Sequence, residues 1–248
     1  LAGGNIDVWV VDLKRGARSR LTFEPTVEAS PVWSPDGGRI AFSSDRKGQP
    51  LIVKSASGTG AEEILFRSDD AKNPTSWSKD GRFLLFSRTL PKTKADVWVL
   101  PLFGDRKPFP LIQSEFIDRN GQFSPDGRWV AYVSDESGRL EVYVVPFPGP
   151  GGKWQISTGG GVAPDWTADG RELFYATPDR ELMTVEVKPG SEFEVSPPKP
   201  LFTLSTITAQ GTYDVSADGR RILQGVSRDA VGPPVTLVLN WTSEIGRK

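Results

Sequence analysis

The feature that most constrains this chain is a short motif that returns five times: an aromatic residue or Val, Ser or Thr, any residue, Asp-Gly, and shortly an Arg. The copies are Trp33-Ser34-Pro35-Asp36-Gly37 with Arg39, Trp77-Ser78-Lys79-Asp80-Gly81-Arg82, Phe123-Ser124-Pro125-Asp126-Gly127-Arg128, Trp166-Thr167-Ala168-Asp169-Gly170-Arg171 and Val215-Ser216-Ala217-Asp218-Gly219-Arg220. Their aspartates lie 44, 46, 43 and 49 residues apart. The pair at the centre has a local cause. An Asp side chain caps the turn, and a following Gly takes the positive φ that a residue with a Cβ resists, so the chain reverses between two strands. Asp36, Gly37, Asp80, Gly81, Asp126, Gly127, Asp169, Gly170, Asp218 and Gly219 are therefore read as structural turn residues rather than as catalytic groups or calcium ligands.

Each repeat has the β-rich runs to fill a four-stranded blade, the unit that such a period predicts. An innermost strand precedes each motif. Second strands follow it at 40–43, 83–87, 129–134, 172–176 and 222–226. Third strands are expected at 51–54, 96–100, 141–145, 182–187 and 235–241, and fourth strands at 63–66, 109–112, 153–156 and 200–204. At the N-terminal end, residues 6–13 read as a third strand and 19–23 as a fourth. The expectation is an all-β, six-bladed β-propeller forming one domain over residues 1–248, truncated at its N-terminal side so that about five to five and a half blades and about 21 strands remain. The large residue before each turn, Trp33, Trp77, Phe123 or Trp166, is expected to fill the gap between neighbouring blades, because aromatic side chains dominate core burial.

With these residues in view, the sequence resembles the TolB-type, WD-repeat-like propellers, whose hallmark is a Trp-Ser-Pro-Asp-Gly turn, a strand and a Ser-Asp pair. Here that reads from Trp33 to Asp45 and from Phe123 to Asp135. A narrower likeness, in residues 142–161, 169–175 and 237–242, is to the C-terminal propeller of bacterial transmembrane serine/threonine protein kinases. The resemblance implies a sensor or interaction role outside the cytoplasm, in the periplasm of a bacterium. The kinase hallmarks themselves are not in this sequence, which has no His for a His-Arg-Asp loop and no Asp-Phe-Gly.

Composition narrows the chemistry further. The chain contains no Cys and no His, which removes thiol nucleophiles, Ser-His-Asp triads and the common His or Cys metal sites from its own repertoire. Lys and Arg number 30 against 31 Asp and Glu, a net charge of −1, so no overall field draws it to nucleic acid or an anionic membrane. No apolar run approaches the length of a membrane helix. The pairs Glu62-Glu63 and Asp69-Asp70 are adjacent in sequence and on a strand would face opposite ways, a poor arrangement for acid/base work. Gly159-Gly160-Gly161 lacks the strand, helix and Lys of a phosphate loop.

The loops from fourth to next first strand, and from second to third, share the end of each blade opposite the Asp-Gly turns. Polar residues expected in those loops, Glu28, Asn73, Arg119 and Gln210, are the candidate binding residues; no catalytic residue, metal or cofactor is expected. The function predicted is a non-enzymatic recognition module for a protein or small-molecule ligand. The alternatives are a carboxylate-dependent propeller glycosidase or lyase, and the noncatalytic propeller of a serine peptidase.

Overall fold

The computed structural model describes residues 6–188, 190, 192–205, 213–216, 219–225 and 235–239, the last strand by its backbone alone. Two compact units divide the chain, Leu1–Arg119 and Asn120–Lys248.

The first unit opens with a two-stranded sheet, β1 (Trp9–Val11) and β2 (Arg18–Arg20). A four-stranded antiparallel blade follows: β3 (Glu28–Trp33), β4 (Arg39–Ser44), β5 (Leu51–Ser55) and β6 (Glu63–Phe66), paired in chain order. The next blade repeats it with β7 (Lys72–Trp77), β8 (Phe83–Thr89), β9 (Ala95–Pro101) and β10 (Phe109–Ile112). Because side chains alternate across a pleated strand, each blade buries both faces. Ile40, Phe42 and Ile52 pack with Val8 and Leu21 of the β1–β2 region. Their neighbours in sequence, Ala41, Leu51 and Val53, pack with Trp77, Leu84, Phe86 and Leu100 of the next blade.

The second unit begins inside β11 (Asp118–Phe123), which pairs in order with β12 (Trp129–Ser134), β13 (Glu141–Pro146) and β14 (Trp154–Gln155). The following blade comprises β15 (Val162–Trp166), β16 (Glu172–Ala176), β17 (Glu181–Lys188), a short β18 (Glu194–Val195) and β19 (Lys199–Thr203), with both β18 and β19 paired to β17. A three-stranded sheet of β20 (Tyr213–Val215), β21 (Arg221–Gly225) and β22 (Val235–Leu239) completes the described strands. The same alternation recurs. Leu173 and Tyr175 face the β11–β14 blade, while Phe174 and Ala176 pack with Leu182, Leu204 and Ile222 on the other side.

Among the described residues there are 22 strands and no helix. The one strand beyond the 21 expected is β18, formed by a segment inserted between third and fourth strands.

The aromatics before the turns divide. Trp77, Phe123 and Trp166 are 8%, 7% and 7% exposed, but Trp33 is 50% exposed, which corrects the expectation that all four are packing residues. Trp33 pairs across the ladder with Ile40 and so lies on the face turned toward β1 and β2. That two-stranded sheet covers Ile40, Phe42 and Ile52 without closing over Trp33.

Candidate functional site

The two ends of each blade are built differently. At the turn end, each motif closes on itself. The Ser34 hydroxyl donates to Asp36 Oδ1 at 2.5 Å and accepts from the Arg39 amide at 2.9 Å, while Asp36 Oδ1 also accepts from the Gly38 amide at 3.0 Å. The same hydroxyl-to-carboxylate contact joins Ser78 to Asp80 at 2.6 Å, Ser124 to Asp126 at 2.6 Å and Thr167 to Asp169 at 2.7 Å. Gly37, Gly81, Gly127, Gly170 and Gly219 all have φ between 67° and 75°, the conformation that excludes most residues with a Cβ. Asp218 lies outside the described residues. Donors on the carboxylates hold Asp36, Asp80, Asp126 and Asp169 below the usual range. For Asp36 the Ser34 hydroxyl dominates and for Asp169 the Arg171 amide does; for Asp80 and Asp126 partial burial opposes the shift and the Ser and backbone donors outweigh it. These carboxylates are committed to turns.

At the loop end, buried charged side chains tie the connections to the strands. Glu28 is 1% exposed; its Oε1 accepts from the hydroxyls of Thr26 and Ser44 and from Arg46 Nη2 at 3.2 Å, and Arg46 continues to Glu62 at 3.0 Å. In the next blade Lys72, 3% exposed, donates its ammonium to the carbonyls of Gln49, Ser68 and Asp70 at 2.8, 2.8 and 2.5 Å, so one cation clamps two loops. Burial pulls its pKa down. Beside it Arg88 binds Asp70 through both Nε (2.5 Å) and Nη2 (3.2 Å), with its guanidinium 4.4 Å from the Trp98 ring centre. Asp70 stays below the usual carboxylate range, since the donors Arg88 and Ser68 outweigh its partial burial. Thr93 donates to buried Asp96, and Ser114 to buried Asp118. The second unit repeats the device: Glu141, 1% exposed, accepts from the Ser157 hydroxyl and from the Gly160 amide at 2.9 Å.

Three of the four sequence candidates are in the described residues, and all three sit in first strands rather than in loops. Glu28 pairs with Ser44 at the start of β3, Asn73 pairs with Ser87 in β7, and Arg119 lies in β11. The physical reason is that a satisfied polar side chain does not stop a ladder, so pairing begins earlier than polarity suggests. Asn73 Oδ1 accepts from Ser43 at 3.0 Å and Ser30 at 3.4 Å, which joins it to the blade that holds Glu28. The Nε of Arg119 is buried without a hydrogen-bond partner. Gln210 lies outside the described residues. Sequence reasoning passed over Lys72 and Arg88, whose only signal was charge at strand ends, and weighed Asp70 only as an acid/base partner of Asp69. Among the described residues no group of three His, Cys, Asp or Glu side chains could hold a metal ion, and no helix is long and apolar enough to cross a membrane.

Comparison with known proteins agrees with this architecture. Residues 1–99 match the family described as TolB beta propeller domain. The Tol-Pal system protein TolB of Bordetella pertussis is 28% identical over 120 residues, 48% of this chain and 27% of that protein. The crystal structure of TolB from Acinetobacter baumannii superposes with a TM-score of 0.73 at 19% identity, over 94% of this chain and 56% of that one. An oligogalacturonate lyase in complex with manganese superposes at 0.64 with 14% identity, over 97% of this chain and 69% of that one, a likeness of fold alone. The chain thus spans little more than half of the Acinetobacter TolB chain, and the matched region is about a quarter of the Bordetella one. Residues 1–99 are similar to the TolB beta propeller domain, and the fold is that of a TolB-like β-propeller.

Proposed function

We propose that this chain is a non-enzymatic recognition module that presents the loop end of its blades to a protein partner in the periplasm. The observation that carries this reading is the set of buried charges at that end. In the first unit, buried Glu28, Lys72 and Asp118, with the half-buried Asp70, fix the connections before any partner arrives, and a pre-ordered surface loses less conformational entropy on binding. The carboxylates of the repeated motifs and of the loop end are engaged in turns and clamps. The relatives are named for the Tol-Pal system, so a Pal-type protein is the first partner to try; a sensor or scaffold role in a larger bacterial protein, such as a receptor-type kinase, is the same module in another chain.

The test is calorimetric titration of the chain with a Pal-type protein and, separately, assays for lyase, glycosidase and kinase turnover. Saturable binding is expected, weakened about tenfold by Asn73→Ala or Arg119→Ala and unchanged by Lys79→Ala in a turn. Turnover of an oligosaccharide that disappears on neutralising one carboxylate would overturn the non-enzymatic reading, and binding indifferent to both loop-end variants would overturn the choice of surface.

A further inference from the structure

The edge of β1 that faces away from β2 is open, and the recognition reading above does not use it. The register of the pair, Trp9 against Arg20 and Val11 against Arg18, sets which groups that edge exposes. The Asp12 amide donates to the Ala17 carbonyl and the Leu21 amide to the Val8 carbonyl, both at 2.8 Å. Hydrogen-bonded and non-hydrogen-bonded pairs alternate along an antiparallel ladder, so the amides and carbonyls of Trp9 and Val11 point away from β2. Among the described residues β1 has no other strand partner. The third strands β5, β9, β13 and β17 all have a partner on the corresponding edge, namely β4, β8, β12 and β16.

A second observation lies in the neighbouring blade. Trp33, Ile40 and Lys54 form one row across β3, β4 and β5, on the face turned toward β1 and β2. Lys54, at one end of the row, donates to the carbonyl of Leu21, the residue after β2, at 2.9 Å. Ile40, in the middle, is buried with Val8 and Leu21. Trp33, at the other end, is half-exposed. β2 therefore stands over the β5 side of this face, and the open edge of β1 looks toward β3 and the bare Trp33. The edge and the ring border one unfilled space within the first unit. On the outer face of β1, Trp9, Val11 and Leu13 are 54%, 46% and 67% exposed. Arg18, across the ladder from Val11, and Lys14 in the hairpin turn are exposed and have no ion pair among the described residues.

We infer that this edge docks an extended strand of a partner protein, one with alternating apolar side chains and an acidic N-terminal end. The strand runs antiparallel to β1, as second strands run beside third strands in the complete blades, and hydrogen-bonds to Trp9 and Val11, the mode by which extended segments lengthen a sheet. Its inward side chains cover Trp33, and its outward ones lie beside Trp9 and Val11 as cross-strand neighbours. The antiparallel direction brings its N-terminal end to the Val11 end of β1, where Arg18 and Lys14 offer unpaired positive charge. A lipid surface does not fit the same place, because it leaves the edge amides and carbonyls without partners.

The experiment titrates the full chain with a synthetic peptide that carries the β16 sequence, residues 172–177, behind one extra glutamate, and follows tryptophan emission, since that peptide has no Trp. Saturation at about 100 µM is expected, with a blue shift that Trp33→Phe reduces. Val11→Pro removes an edge amide without touching the β1–β2 ladder and should weaken binding about tenfold. Exchanging both glutamates of the peptide for lysines should weaken it about threefold. Should Val11→Pro fail to fold, peptides N-methylated on alternate residues keep the protein unaltered: one alternation, at Leu and Tyr or at Phe and Ala, should abolish binding and the other leave it. No saturation, equal binding of the two methylated peptides, or stronger binding to phosphatidylglycerol vesicles than to the peptide would each overturn the assignment. A dimer of the chain that Val11→Pro dissolves would overturn it too, by giving the edge to a second copy.

Discussion

One hydroxyl per turn sets the local energetics of this chain. Ser124, 3% exposed, donates to Asp126 and accepts the Trp129 amide at 3.0 Å, so its removal strands a buried N–H as well as a carboxylate contact. Ser124→Ala should therefore lower the unfolding free energy by about 1–3 kcal/mol, the cost of leaving a buried donor unsatisfied. Ser124→Thr should lose much less, because Thr167 makes the same pair of contacts in the next blade. Urea denaturation of both variants checks this, and equal losses would show that the hydroxyl matters less than its packing. These turns were legible in the sequence because every participant lies within five residues of every other. The buried Lys72 was not, since its partners Gln49 and Ser68 come from two different loops, and a lone Lys at a strand end reads as solvated.

At the scale of elements, strand positions were readable from period-two patterning, and the boundaries of β6, β10, β12 and β16 coincide with those expected. What the pattern does not carry is which neighbour covers a face. Trp33 and Trp77 occupy the same place in the motif, yet one packs against a full blade and the other faces a two-stranded sheet. Trp77→Ala should cost about 3–5 kcal/mol, as truncation of a buried aromatic does, whereas Trp33→Ala should cost roughly 1 kcal/mol or less, as a half-exposed position does. Phe193→Ala belongs with Trp77, because its ring touches three tryptophans, and it should also shift their emission to the red as water enters. Matching losses for Trp33 and Trp77 would mean that Trp33 is covered in solution. The β18 hairpin escaped sequence reading for a related reason: a two-residue strand has no period, and the value of Phe193 lies in rings about 30 to 60 residues away in sequence.

Across the whole molecule, two sets of carboxylates pull stability in opposite directions with pH. The turn aspartates Asp36, Asp80, Asp126 and Asp169 have lowered pKa values, so their contribution is full above the unfolded value near about 4 and is lost as pH falls through their folded values. Asp165 behaves the other way. Its Oδ2 accepts the Val215 amide at 3.2 Å, linking β15 to β20, and burial, reinforced by the charge of Asp214, pushes its pKa up to about 7. Asp214 is itself raised by burial, and Tyr213, which donates to the Ala163 carbonyl at 2.6 Å, is raised well above its usual value, again chiefly by burial. A raised carboxyl contributes stability that is present below its unfolded pKa and lost as pH rises through its folded one. The thermal midpoint should accordingly be highest at about pH 4 to 5 and should fall by about 5 °C as pH rises to about 7, levelling off above that. Asp165→Asn, which keeps an acceptor for Val215 and cannot ionise, should flatten the alkaline limb and leave the acid limb alone, while Asp80→Asn should soften only the acid limb. A midpoint that climbs steadily from acid to about pH 8, or an alkaline limb that survives Asp165→Asn, would show that the β15–β20 contact is solvated and that Asp165 ionises at its ordinary value.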